Sequence, residues 1–282
     1  MLLGFFFFGV ADMLAKVVTQ DLDPLQVAWF RQIGLAVGVF VTLVLRGFVV
    51  LRSRRPLLQI ARGLCVVVAT AGFLSALPYV PLADATAVGF IAPFIVVLLS
   101  AVFLGEPVGL KRWLAVLFCF VGTAIIVRPG TSAFQPATLL LLLSATAFAA
   151  RQVIARFLAS SDRLSTTVAY TGLTAVFVFS IPLPLIWHSP ETPIQIALLI
   201  GISCAAGCGE VLMIRALDLG EAAMLSPLQY TIIIWTTLWG YLIFSDLPDI
   251  WTWLGIGIIV ASGLYSLHLE PRLRTEAPHP PA

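Results

Sequence analysis

The residues that could do chemistry in this chain are few, and most are charged groups set in apolar surroundings. Asp12 and Lys16 lie four apart with the acid first, a spacing that favours an ion pair along one helix. Asp12 could instead receive a substrate ammonium or a proton. Arg31, two residues beyond Trp29, could hold a substrate carboxylate or snorkel to the outer interface. Glu210, five residues before Arg215, could form a pH-sensitive gate, and an inner-face ion pair explains it as well. Asp84 and Glu221 open apolar helical runs, where a carboxylate meets the positive end of the helix dipole.

Aromatic groups are the other candidates. Tyr79, Tyr230, Trp29 and Phe90 could wall a box that stacks on an aromatic or planar substrate. Trp235, Trp239, Trp251 and Trp253 read as an interfacial belt. Cys204 and Cys208 share a helix face without a nearby histidine, so they read as small packing residues and no metal is expected. No phosphate-gripping glycine motif and no nucleophile–base spacing is present. The expectation is therefore neither an enzyme nor a chain that carries a cofactor.

The elements that position these groups follow from composition. Of 282 residues, 60% are hydrophobic and 11% charged, with a mean hydropathy of +1.03. A soluble fold of this size cannot hide so much apolar surface, so lipid is part of the solvent and nucleic acid is no partner. A membrane-spanning helix needs about 20 apolar residues. Such runs fall near 2–19, 25–45, 58–79, 83–104, 112–128, 136–157, 166–187, 193–215, 222–244 and 250–268. The fold class expected is all-α, a polytopic membrane protein of ten transmembrane helices.

With a cytoplasmic N-terminus, thirteen lysines and arginines fall on the inner side, Arg62 and Arg151 among them. Only Lys16 and Arg128 fall outside, which places both termini in the cytoplasm. The Arg52–Arg55 cluster reads as a topology anchor. The tail from Pro271, rich in proline and polar residues, reads as disordered.

The two halves repeat. Gln59-Ile60-Ala61 returns as Gln195-Ile196-Ala197, and Leu82-Ala83-Asp84-Ala85 as Leu219-Gly220-Glu221-Ala222. Trp113 and Trp253 each follow an acid, Glu106 and Asp246, by the same interval. Five spans per half is an odd number, so the second half must be inverted. The halves are expected at 1–130 and 131–269, followed by a cytoplasmic tail at 270–282. Inverted repeats recur in secondary transporters, with the site between them. Pro93 and Pro227 fall inside related spans, beside Gly89 and Ser226, and suggest paired kinks that could flex.

The segment Ala76-Leu-Pro-Tyr-Val-Pro-Leu-Ala-Asp-Ala-Thr-Ala87, with Pro93, Leu104-Gly-Glu-Pro107, Trp113, Gly122 and Arg128-Pro-Gly130, resembles the drug/metabolite transporter superfamily, in particular its EamA-type ten-helix members. The second copy keeps Glu221-Ala222, Pro227, Asp246, Trp253 and Gly263. The resemblance implies a basket of helices around a central cavity, with the fifth and tenth spans peripheral. Aromatic richness makes the chain most similar to the aromatic amino acid exporters. The expectation is a monomeric exporter of small metabolites in the inner (plasma) membrane, its partners a small-molecule substrate and the bilayer. Nucleotide sugars or sugar phosphates are the alternative cargo, and a non-transporting scaffold or receptor is the alternative class.

Overall fold

The computed structural model describes residues 1–103, 109–129, 135–159, 161–219 and 226–275. Every regular element among them is helical. The first half contains α1 (Leu2–Val18), α2 (Pro24–Arg46), a 3-10 turn (Phe48–Leu51), α3 (Pro56–Ala76), α4 (Leu82–Gly89), α5 (Ala92–Phe103) and α6 (Leu110–Val127). The second contains α7 (Thr138–Ala159), α8 (Leu164–Ser180), α9 (Leu183–Ile186), α10 (Pro193–Leu219), a 3-10 turn (Ser226–Tyr230), α11 (Thr231–Phe244) and α12 (Ile250–Thr275). Each apolar run read from the sequence is mostly helix where it is described; turns end 58–79 at residues 77–79 and interrupt 83–104 at residues 90–91 and 166–187 at residues 181–182. Among the described residues five stretches are long and apolar enough to cross a membrane: Pro24–Val44, Pro56–Ala76, Leu82–Phe103, Thr138–Leu158 and Pro193–Met213. The tail expected from Pro271 begins on α12, whose helix continues to Thr275; residues 276–282, like Glu106 and Glu221, lie outside the described residues.

Local chemistry sets the ends. Asp23 caps α2 by accepting the Leu25 N–H at 2.8 Å, and Pro24 fills the first helical position, where its missing donor is harmless. At the far end of α11, Ser245 turns left-handed (φ 56°), and Asp246 N–H closes on Gly240 O at 3.1 Å. That closure presents the Asp246 carboxylate toward α1.

Polarity is arranged inside out. Gln26, Gln59, Thr236 and Thr252 are fully buried, while Leu57, Phe103, Phe177, Ile194 and Ile250 are exposed. Water would favour the reverse; a hydrocarbon solvent accepts this arrangement.

The helix pairings of one half recur in the other. α3 packs on α7 as α10 packs on α1, and α2 on α10 as α8 on α3. α1 meets α11 as α7 meets α4 and α5, and α6 pairs with α12. The same glycine contacts recur one repeat length apart. A Cβ on Gly72 would meet Leu140 O and Ser144; one on Gly209 would meet Gly4 O and Phe8. At α6–α12 the contact is reciprocal, since Gly122 faces Gly255 O and Gly255 faces Gly122 O. With no hydrophobic force between helices in lipid, such close backbone approach is what holds them together.

Candidate functional site

The charged groups Asp12, Lys16, Arg31 and Arg128 find partners on other elements. Asp12, 4% exposed, accepts from Arg31 Nη1 at 2.5 Å. Lys16 does not pair with Asp12. Its Nζ donates to Val80 O at 3.1 Å and to Asp246 at 3.2 Å, and lies 4.8 Å from the centre of the Phe244 ring. The ion pair expected along α1 is thus replaced by two tertiary ones. Helix spacing brings the side chains near each other, but α2 and the two loops deliver partners at bonding distance. Arg31 turns inward to a carboxylate and does not snorkel. On the same side Arg128 pairs with Asp249. Desolvation alone would raise the Asp249 carboxyl, but hydrogen bonds from Thr252 and Arg128 outweigh it and hold the group below its usual range.

Deeper, α3, α7 and α10 carry Arg62, Arg151 and Glu210; the sequence reading counted the two arginines among the inner-side charges and set Glu210 near the inner end of its span. Arg62 donates to Thr171 on α8. The Arg151 guanidinium carbon stands 4.6 Å from the centre of the Phe148 ring. The Nε atoms of both arginines are buried without a hydrogen-bond partner. Glu210 lies within electrostatic reach of both, and the two arginines act on each other. Glu210 was read as a pH-sensitive gate or as half of an inner-face ion pair five residues before Arg215; no ion pair joins the two among the described residues, and Arg215 is exposed. The signal for Arg62 and Arg151 was in the sequence, because both fall within the apolar runs 58–79 and 136–157. Counting them as loop charges hid it.

The aromatic candidates separate into three places. Phe90 stacks on Tyr230 with ring centres 4.9 Å apart and planes at 27°. The Tyr230 hydroxyl fills the space a side chain would need at Gly263, so the stack joins the end of α4 to α12. Tyr79, 66% exposed, lines a cavity of about 290 Å³ with Asp84, Arg128 and Asp249. Trp29 donates to Ser180 at 2.9 Å and meets Trp187 edge-on. Trp235 and Trp239, read as belt residues, pack on Phe6 of α1. Their indole nitrogens are buried without a partner.

Pro93 stands second in α5, directly after a break. There its missing N–H falls among the free donors of a helix start. Phe90 and Ile91 close the end of α4 with 3.1 Å bonds to Ala87 O and Val88 O, and a Cβ on Gly89 would meet nothing within 4 Å. Ser226 and Pro227 open the 3-10 turn before α11; their side chains lie outside the described residues. The prolines therefore begin helical segments where an interior kink was expected.

A second cavity, about 430 Å³, opens at the opposite ends of the helices. It lies between the α2–α3 and α7–α8 connections and is lined by Arg52, Arg54, Arg163, Asp162 and serines. Asp162 accepts from Ser53, from the Arg54 N–H at 2.9 Å and from Gln59 at 2.8 Å. Slight desolvation would raise its carboxyl; these bonds and the Arg54 charge hold it below the usual range.

Comparison with known proteins gives two matches to the model of the EamA-like transporter family, over residues 1–128 and 135–267. An S-adenosylmethionine uptake transporter of Rickettsia prowazekii is 24% identical over 264 residues, 94% of this chain and 90% of that protein. A pseudopaline exporter of Pseudomonas aeruginosa is 28% identical over 264 residues, covering 92% of each. A riboflavin transporter of Rhizobium johnstonii is 27% identical over 279 residues, 94% of this chain and 89% of that one. None of these is an aromatic amino acid exporter. A solved crystal structure superposes over 98% of each chain with a TM-score of 0.63 at 23% identity, a likeness of fold.

Proposed function

The chain belongs to the EamA-like transporter family, and on that premise we propose a secondary transporter that moves zwitterionic small metabolites by alternating access. A multi-pass membrane protein that carries small metabolites is the common ground with its relatives. The finer reading rests on one observation: Arg62, Arg151 and Glu210 stand on apolar helices within electrostatic reach of one another, and no ion pair joins them among the described residues. Ionisable groups at membrane depth are costly and mark substrate paths. A substrate acid group complements the two guanidinium groups, and a substrate cation complements Glu210.

The pairing of helices supports ten crossings in two inverted repeats around a central cavity. The positive-inside bias supports termini in the cytoplasm and the inner membrane as location. The breaks before Pro93 and at the 3-10 turn of Pro227 are the places where each repeat would flex. The relatives' names broaden the cargo from aromatic amino acids to larger metabolites, and they include both uptake and export. Two deep arginines also fit a phosphate, so a phosphorylated metabolite is the second reading; Glu210 beside them opposes a dianion.

The test is counterflow in proteoliposomes with labelled S-adenosylmethionine, riboflavin and tryptophan. A zwitterion should exchange, and Arg151→Gln or Glu210→Gln should slow that exchange roughly tenfold or more. Exchange of riboflavin alone, indifferent to Glu210→Gln, would overturn the zwitterion assignment. No exchange of any of the three would turn the reading toward a phosphorylated cargo, and then a scaffold.

A further inference from the structure

The cavity of about 430 Å³ between the α2–α3 and α7–α8 connections shares no lining residue with Arg62, Arg151 and Glu210 and plays no part in the transport reading. Its charge is unbalanced. Arg52, Arg54 and Arg163 line it, and Asp162 is the one carboxylate among its lining residues. Asp162 is already engaged by Ser53, Gln59 and the Arg54 N–H. Among the described residues no ion pair engages any of the three guanidinium groups; the Arg54 charge reaches Asp162 only at longer range.

The backbone adds to the excess. α8 starts on this cavity with Arg163 as its N-cap residue and no side-chain cap, so a cation stands where the dipole favours an anion. Ser53 and Ser165 add hydroxyl groups to the wall. The three arginines are exposed and line one cavity, which topology anchoring, a matter of charge count alone, does not require.

We propose that this cavity binds a phosphate-bearing anion, held by Arg54 and Arg163 with Arg52 at the rim. Guanidinium groups match phosphate oxygens in pairs of hydrogen bonds, and an uncapped helix start supplies backbone donors. Val49, 59% exposed, and Val50 form an apolar flank on the same cavity. An anionic phospholipid would set its headgroup among the arginines and its chains along that flank. Free phosphate offers the same oxygens without the chains.

The experiment uses the full chain in phosphatidylcholine nanodiscs and reads thermal stability. Phosphatidylglycerol is titrated into the discs in one arm and inorganic phosphate into the buffer in the other. Stabilisation by phosphatidylglycerol alone identifies the lipid headgroup, and stabilisation by phosphate identifies the free anion; either supports the site. Arg54→Gln with Arg163→Gln is expected to weaken the effect roughly fivefold per arginine. Arg55→Gln, a neighbouring exposed arginine outside the cavity, is the control and should leave it unchanged. Equal losses in the control would show diffuse surface charge and overturn the site, as would no stabilisation of the parent by either anion.

Discussion

Asp12 illustrates how far spacing alone carries at the scale of a residue. Four-residue spacing places it beside Lys16, yet the partner it takes comes from another helix, and nothing in local sequence encodes that distance. Both members of the Asp12–Arg31 pair are largely buried. Removing one leaves the other uncompensated, which costs about 3–5 kcal/mol in a buried pair. Asp12→Asn should therefore lower stability by that order in chemical unfolding from detergent, and Asp12→Leu with Arg31→Leu should recover most of it. Asp162 gives a pH dependence of known sign. Its folded value lies below the ordinary 3.8. The stability it contributes is complete above that ordinary value and is lost as pH falls through the lower folded value. Melting curves between about pH 5 and 2 should show a steeper acid limb for the parent than for Asp162→Asn. Legibility differs between these residues for a physical reason. Ionisable type and depth were readable for Asp12, and even for Arg62 and Arg151. Which helix supplies the partner depends on packing, which spacing does not contain.

Helical elements were legible because hydrocarbon imposes long apolar runs, and each run is mostly helix where it is described. Their breaks were less so. Proline at position 93 marked a discontinuity correctly, but the helix restarts at the proline and does not bend around it. Pro93→Ala would let the amide of residue 93 reach back toward Gly89 O and favour one continuous helix. Counterflow should slow while the melting temperature holds or rises; an unchanged rate would exclude the break as a moving part. Close packing offers a paired test. A Cβ on Gly255 would come within 2.5 Å of Ile126 and 2.7 Å of the Gly122 carbonyl, whereas one on Gly257 meets nothing within 4 Å. Gly255→Val should destabilise by about 1–3 kcal/mol beyond Gly257→Val. Equal effects would place the α6–α12 contact elsewhere.

For the whole molecule the recurring helix pairings matter more than any single helix. Lys16 joins α1 to the α3–α4 turn through Val80 and to the α11–α12 loop through Asp246. Both halves are thus tied at one end, and at the other Asp162 ties the α7–α8 connection to Ser53, Arg54 and Gln59 of the first half. Cysteines at positions 16 and 246, joined by a short bifunctional reagent, should stop counterflow, and cleavage of the link should restore it. Transport through the linked protein would show that this end need not part. The same pairing also constrains how the chain is made. α1 leaves the ribosome well before α10, against which it packs, and α6 before α12. The Gly4 and Gly122 faces therefore wait in lipid, or on an insertion factor, until the second half is synthesised. A chain stopped after residue 130 keeps both faces bare, and two halves translated separately in one cell should assemble into a working protein.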